Sequence, residues 1–148
     1  MAQTLSFYVW VFWLAATANC AIAFDLITEK EATGETRPFE TDSSIIGRGP
    51  RIEVKAPKSD VRTTNPFEFE IRFKSFGGAK INPESIEILY WSDPRRDLTP
   101  RLMPLYRGNV IRIPDARAPV RKHQLQISVT DSNGFRRKLI YSFEVREY

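Results

Sequence analysis

From residue 50 onward, apolar and polar side chains alternate in short runs, which is typical of half-buried β-strands. In PFEFEIRFK (residues 66–74), three phenylalanines and an isoleucine fall on one face, and charged residues fall on the other. The same period of two occurs in RIEVKAP, SIEILYW and NVIRIPDA, and in both halves of HQLQISVTDSNGFRRKLIYSFEV. The pattern predicts about seven short strands and no helix of ordinary length.

Turn residues separate these runs. The glycine pair at 77–78 can adopt positive φ, and Pro83 is expected to stop the strand ladder that follows. Three prolines between residues 92 and 109 predict an edge strand or an irregular crossing. Asn133 and Gly134 supply the left-handed conformers of a tight hairpin. Short strands at this spacing predict an all-β sandwich with Greek-key connections.

The order of strands over residues 51–147 resembles that of bacterial immunoglobulin-like or fibronectin-III-like modules. The resemblance includes the proline-bounded first strand and the sequence VTDSNG, followed near the end by FEV. The chain departs from the pattern because it has no cysteine pair, and because Trp91 falls on the outward parity of its strand. The resemblance implies an immunoglobulin-like sandwich of about seven antiparallel strands that serves as a binding, spacing or accessory module.

The first 23 residues contain no charged side chain. An apolar run spans Leu5–Ala16, and Ala21 and Ala23 form an A-x-A site. This pattern predicts a secretory signal peptide that is cleaved before Phe24. The alternative is an uncleaved membrane anchor, although the apolar run is shorter than the roughly 20 residues that a spanning helix needs.

The single cysteine, Cys20, lies within this leader. Thr17 and Asn19 occupy the places where a lipoprotein signal needs a leucine-like and a small residue, so we do not expect lipidation. The mature chain would have no thiol, and its fold would depend on its core alone. We therefore expect a periplasmic or secreted bacterial protein, with no stable membrane span after cleavage.

Residues 24–49 predict a flexible acidic linker between the leader and a domain at residues 50–148. Thr28 and Glu31 have the spacing of a capping box, which predicts a single helical turn. Six acidic and two basic residues lie between 24 and 47, whereas 20 basic and 12 acidic residues lie between 48 and 148. The basic domain favours an anionic envelope polymer, phospholipid head groups or an acidic protein as partner, and not nucleic acid, which is improbable for an exported chain. The charge can also serve solubility alone.

Residue types associated with catalysis or metals are few. His123 follows two cations without a nucleophile or further ligands, so we expect an exposed histidine at the start of a strand. Asp131 begins DSNG but lacks the later acids of a calcium loop, and we expect it to accept hydrogen bonds from turn amides. Glu68 and Glu70 lie on an outward strand face, where we expect water around both. We predict no catalytic site, no cofactor and no metal.

One candidate binding surface remains, in LYWSDPRRDLTPRLMPLYR. Tryptophan and tyrosine beside arginines can stack on a sugar ring or bind a phosphate or carboxylate, and they are enriched at protein interfaces. The candidate residues are Trp91, Arg95, Arg96, Arg101, Tyr106 and Arg107, with the cations at 136–138 as an extension. The alternative is that Trp91 packs under the proline-rich crossing. The sequence predicts a non-catalytic exported binding or accessory domain that contacts an envelope protein or an anionic polymer. The alternative function is a glycan- or cell-wall-active hydrolase that uses carboxylates only.

Overall fold

The computed structural model describes residues 23–34, 49–59 and 61–148. Within these ranges the helices are single turns, and no helix is long and apolar enough to cross a membrane. The elements are β1 (Phe24–Asp25), α1 (Glu29–Ala32), β2 (Arg51–Ala56), β3 (Phe67–Lys74), β4 (Ile81–Tyr90), β5 (Arg96–Asp97), α2 (Thr99–Leu102), a 3₁₀ turn (Met103–Leu105), β6 (Tyr106–Arg107), β7 (Val110–Arg117), β8 (Lys122–Asp131) and β9 (Arg136–Glu144).

The described strands form two sheets. One sheet has the order β1-β7-β3-β2, with β6 also paired to β7, and the other has the order β5-β4-β8-β9. All of these strand pairs are antiparallel except β1 with β7, which is parallel. The predicted all-β sandwich is confirmed, with nine strands in the described residues where about seven were expected.

The core lies between the sheets, where the apolar faces of the alternating strands meet. The inward residues predicted for β3, β7 and β8 are all buried. On β9 the inward row is buried from Tyr141 onward, and Leu139 is only partly buried. Burial of these rows, at about 25 cal/mol per Å² of apolar surface, is the main force that holds the sheets together.

The N-terminal segment belongs to the folded domain. Phe24 and Asp25 pair with β7, and Leu26 and Ile27 are 0% and 2% exposed. The capping box of α1 is present, since the Thr28 hydroxyl accepts from the Glu31 amide and the Glu31 carboxylate accepts from the Thr28 amide. The expected flexible linker is therefore wrong over residues 24–34, because two apolar side chains there enter the core. Residues 35–48, and residues 1–22 of the leader predicted at 1–23, lie outside the described residues.

Two local expectations require correction. β4 continues through Pro83, although its pairing with β8 shifts between Asn82 and Glu87. The Ser85 hydroxyl bridges the gap, since it accepts from the Thr130 amide (2.8 Å) and donates to the Thr130 carbonyl (3.1 Å). In the β8–β9 turn only Gly134 has positive φ, at 82°, and Asn133 does not.

The turns of the sandwich gather at its two ends. β4 begins at Ile81, which pairs with Asp131, and ends at Tyr90, which pairs with Leu125, six residues or about 20 Å away along β8. We name the end near Ile81 the tip end; it contains the β3–β4, β6–β7 and β8–β9 turns and the start of β2. We name the opposite end the base end; it contains residues 91–95, the β7–β8 connection and β1.

Candidate binding surface

The structure brings Trp91 and Arg95 together at the base end. The Trp91 amide donates to the Gln124 carbonyl (2.9 Å), which fixes the indole on the outward face of the sheet. The ring is half-buried, and the guanidinium carbon of Arg95 lies 3.9 Å from its centroid. A cation at this distance over an indole face is a favourable cation–π contact. The structure therefore places Trp91 and Arg95 in contact, as two of the candidate residues; whether they bind a partner stays a prediction.

A tight reversal between β4 and β5 positions both residues. Ser92 is buried; its amide donates to the Tyr90 carbonyl (3.0 Å), and its hydroxyl donates to the Pro94 carbonyl (2.7 Å). After the reversal Arg96 pairs with Tyr90, and its side chain is exposed. We name Trp91, Arg95 and Arg96 together the Trp91 surface.

Three buried polar atoms on this side of the sheet make no hydrogen bond among the described residues. They are Nε1 of Trp91, Oε1 of Gln124 and Oε1 of Gln126. The two glutamines alternate with the inward-facing Leu125, so they share the outward face with the indole. Buried polar atoms without partners are rare in folded proteins. On this side of the sheet they comprise one donor, on Trp91, and two acceptors, on the glutamines.

Arg101 has a structural partner instead of a place in the Trp91 surface. Its guanidinium donates to both carboxylate oxygens of Glu31, at 2.7 and 3.1 Å, and to the Leu26 carbonyl at 2.9 Å. Partial burial alone would raise the pKa of Glu31, but the hydrogen bonds from Arg101 and Thr28 outweigh it and lower the pKa to about 2. Arg101 therefore fastens the N-terminal segment to α2.

Tyr106 and Arg107 lie on β6, which belongs to the other sheet and leads into the tip end. The Tyr106 hydroxyl donates to Oδ1 of Asn109 (2.6 Å), and its ring lies 6.2 Å from that of Phe73. The exposed Arg107 donates to the Tyr106 carbonyl. The cations at 136–138 start β9 near the tip end as well. These residues do not extend the Trp91 surface, because the length of the sandwich separates them.

His123 is buried and not exposed as expected. Its Nε2 donates to the Pro119 carbonyl (2.8 Å), since a carbonyl only accepts, and its Nδ1 then accepts from the Tyr90 hydroxyl (3.1 Å). Burial lowers the pKa of His123, and the charge of Arg121 lowers it further against the opposing effect of the Pro119 hydrogen bond. The residue is on the same strand parity as Leu125, which is the sequence signal that would have placed it inward.

The predicted role of Asp131 is confirmed. Its Oδ1 accepts from the amides of Asn133 and Phe135, both at 3.0 Å. The described residues contain no cluster of three His, Cys, Asp or Glu side chains that could hold a metal.

The paired acids of β3 differ from each other. Glu68 is exposed, but Glu70 is only 6% exposed, so the expectation that water surrounds both is wrong. Arg72 and Arg112 lie 2.5 and 3.5 Å from Glu70, and Arg112 also lies 2.7 Å from Glu68. The arginines flank the pair, and no observation on the described residues favours the hydrolase alternative.

A cleft of about 280 Å³ opens at the base end between the N-terminal segment and the β7–β8 connection. Asp25, Glu29, Arg117 and Val120 are among its lining residues. The side chain of Asn65 forms one wall, where it donates to the Ala118 carbonyl (2.8 Å) and accepts from the Ala118 amide (3.1 Å). Sequence reasoning missed the cleft because it exists only where β1 is docked on β7.

Comparison of the chain with protein-family models, with curated proteins and with solved structures gave no match. The resemblance to immunoglobulin-like or fibronectin-III-like modules therefore stays a prediction.

Proposed function

We propose that this protein is an exported, non-catalytic binding or accessory domain of the immunoglobulin-like type. Its partner is an envelope protein or an anionic envelope polymer, and the contact is made through the Trp91 surface. The domain is strongly basic, which favours an anionic partner.

The observation that carries the proposal is the stack of Arg95 on Trp91 at 3.9 Å, beside the exposed Arg96. A guanidinium placed over an indole ring can still use its N–H donors to form a fork with a carboxylate or phosphate. Tryptophan and arginine are also among the residues most enriched at the hot spots of protein interfaces.

The test is binding to a carboxylate polysaccharide such as alginate, with an uncharged glucan as the control polymer. Arg95→Lys keeps the charge but loses the planar fork, and we expect it to weaken binding by roughly tenfold. Trp91→Ala is expected to weaken binding by a similar factor. Arg62→Ala removes one exposed cation from a loop outside the Trp91 surface and serves as the matched control.

Binding should decrease as salt rises without vanishing, because stacking is screened much less than charge. Equal binding by wild type, R95K and W91A would exclude the Trp91 surface. If W91A instead lowers the stability by the roughly 3–5 kcal/mol typical of a core aromatic, the indole is a packing residue and the proposal fails. Pull-downs from envelope extract with wild type and R95K extend the same comparison to protein partners.

A further inference from the structure

The tip end carries two exposed phenyl rings on neighbouring turns. Phe76 on the β3–β4 turn is 53% exposed, and Phe135 on the β8–β9 turn is 44% exposed. A Cβ placed on Gly77, Gly78 or Gly134 would meet no atom within 4 Å, so both turns project into open solvent. Two largely exposed phenyl rings on neighbouring projecting turns form an apolar surface that can meet an apolar partner.

Hydrogen bonds hold the two turns together. The Ser132 amide donates to the Lys80 carbonyl (2.8 Å), and the Lys80 amide donates to the Ser132 hydroxyl (3.0 Å). Gly49 packs against Phe135, since a Cβ placed on Gly49 would lie 3.2 Å from the Cβ of Phe135. The two turns that carry the rings are therefore joined to each other at the tip end.

Cations lie at the same end of the sandwich as the rings. The guanidinium carbon of Arg51 lies 5.4 Å from the centroid of the Phe76 ring. The turns and adjoining strand ends of the tip end also contain Lys74, Lys80, Arg107, Arg136 and Arg137. Of the acids at this end, Asp131 is buried and bound by turn amides, and Glu84 is exposed near the start of β4.

Some of these cations have partners nearby. Lys74 contacts Glu53 at 2.9 Å, and Arg136 contacts Glu87 at 3.2 Å. Arg137 donates to the Pro50 carbonyl through Nε. Six cations against Asp131, Glu53, Glu84 and Glu87 leave the tip end with net positive charge.

We propose that the tip end is a lipid-binding surface, on which Phe76 and Phe135 enter the interfacial region of an anionic phospholipid bilayer while the surrounding cations contact headgroup phosphates. Projecting rings fit a fluid interface, whereas a protein partner would need two separate pockets at matching positions. Basic residues near an anionic membrane surface add attraction that falls off within a Debye length. This inference uses residues different from those of the Trp91 surface and does not depend on it.

The direction of the contact is set by the fold. Phe24 pairs with Ala116 at the base end, about 20 Å along β7 from Val110 at the tip end. The tip end therefore meets lipid at the end of the sandwich opposite to β1. A leader that itself enters the bilayer would bind neutral and anionic vesicles alike, which separates its effect from that of the tip end.

The experiment measures partition of the purified full-length chain onto vesicles of phosphatidylcholine, with and without phosphatidylglycerol. We expect binding to the anionic vesicles that weakens as salt rises. The double variant F76A/F135A should lower the partition coefficient by at least roughly tenfold, and F76L/F135L should retain most of it. K80A/R136A should lower it by roughly tenfold on anionic vesicles only.

Matched controls remove the same chemistry elsewhere. V61A/V120A removes two other exposed apolar side chains, each 51% exposed, and K58A/R62A removes two exposed cations outside the tip end. Both variants should bind as wild type does. Insertion is measured directly with F76W. The tryptophan fluorescence that this variant has in addition to that of the wild type should be quenched by brominated lipids.

Equal partition of F76A/F135A and wild type would overturn the proposal, and so would an F76W signal that brominated lipids leave unquenched. Binding that the control variants lower as much as the tip variants would also overturn it, because the attraction would then be spread over the whole domain. If F76A/F135A does not fold, F76W quenching and K80A/R136A still decide the outcome. Loss of alginate binding in R95K does not affect any of these results.

Discussion

At the scale of single residues, His123 illustrates how a buried polar side chain is satisfied. Its ring lies 5.2 Å from that of Phe143 and 5.7 Å from that of Tyr90, and both ring nitrogens have hydrogen-bond partners. The neutral form fits this site, because a second proton on Nδ1 would meet a Tyr90 hydroxyl that already donates its own. Protonation therefore opposes folding.

We expect this histidine to make stability depend on pH. Its pKa in the folded state is below the ordinary value of about 6.5, so the stabilisation is complete above pH 6.5 and is lost as pH falls through the folded pKa. The slope is at most about 1.4 kcal/mol per pH unit. His123→Gln keeps a donor and an acceptor without titrating in this range. Urea unfolding between pH 7.5 and 5.5 should show the slope in wild type and not in the variant; equal slopes would contradict the assignment.

Single residues also show what the sequence could predict. The inward position of His123 follows from the same alternation that correctly places Leu125. The two cations before it, Arg121 and Lys122, suggest instead a side chain exposed to solvent. The burial of Glu70 was not predictable from its strand alone, because it depends on Arg72 and Arg112 closing over the carboxylate.

At the scale of elements, long alternating strands were predicted well and short elements were not. β3 and β8 repeat their pattern over eight and ten residues, so the period of two is unmistakable. β1 spans two residues and α1 spans four, which is too short for any period to show. The capping box was the one sequence signal for α1, and it does not reveal what the turn packs against.

The β8–β9 hairpin gives a prediction at this scale. Asp131 is 5% exposed and accepts from two turn amides, so Asp131→Ala should lower stability by about 1–2 kcal/mol, because both donors lose their partner. Asp131→Asn keeps an acceptor oxygen and should cost less. The melting temperature of wild type should be the same in calcium and in chelator. A substantial rise in calcium would instead identify the turn as a metal site.

At the scale of the whole molecule, topology decides which sequence neighbours act together. Trp91 and Arg95 are close because a reversal of a few residues follows β4, and the sequence alone predicts this contact. Arg107 is also near in sequence, yet α2 and the 3₁₀ turn carry the chain across to the other sheet. The crossing therefore divides one candidate surface between the Trp91 surface and the tip end, and the alternation of single strands contains no signal for it.

The N-terminal segment contributes to the whole domain through several contacts. Leu26 and Ile27 are buried in the core, Arg101 binds Glu31, and Arg121 donates to the Ala32 carbonyl. Burial of two such apolar side chains is worth about 3–6 kcal/mol, and an ion pair that is partly exposed adds up to about 1 kcal/mol. A domain of this size has a total stability of about 5–15 kcal/mol, so the segment supplies a large part of it.

We therefore expect a chain that begins at residue 50 to be marginally stable, although the sequence pattern places the domain boundary there. Its melting temperature should lie at least about 15 °C below that of a chain that begins at Phe24, since each kcal/mol shifts the midpoint of a domain of about 100 residues by several degrees. Leu26→Asp in the longer chain should reproduce most of the loss, because an unpaired carboxylate cannot occupy the buried site. Val61→Ala, which truncates an exposed side chain, is the control. Calorimetry of the four chains measures the effect, and equal melting temperatures for the chains that begin at 24 and 50 would show that the segment only rests on the domain.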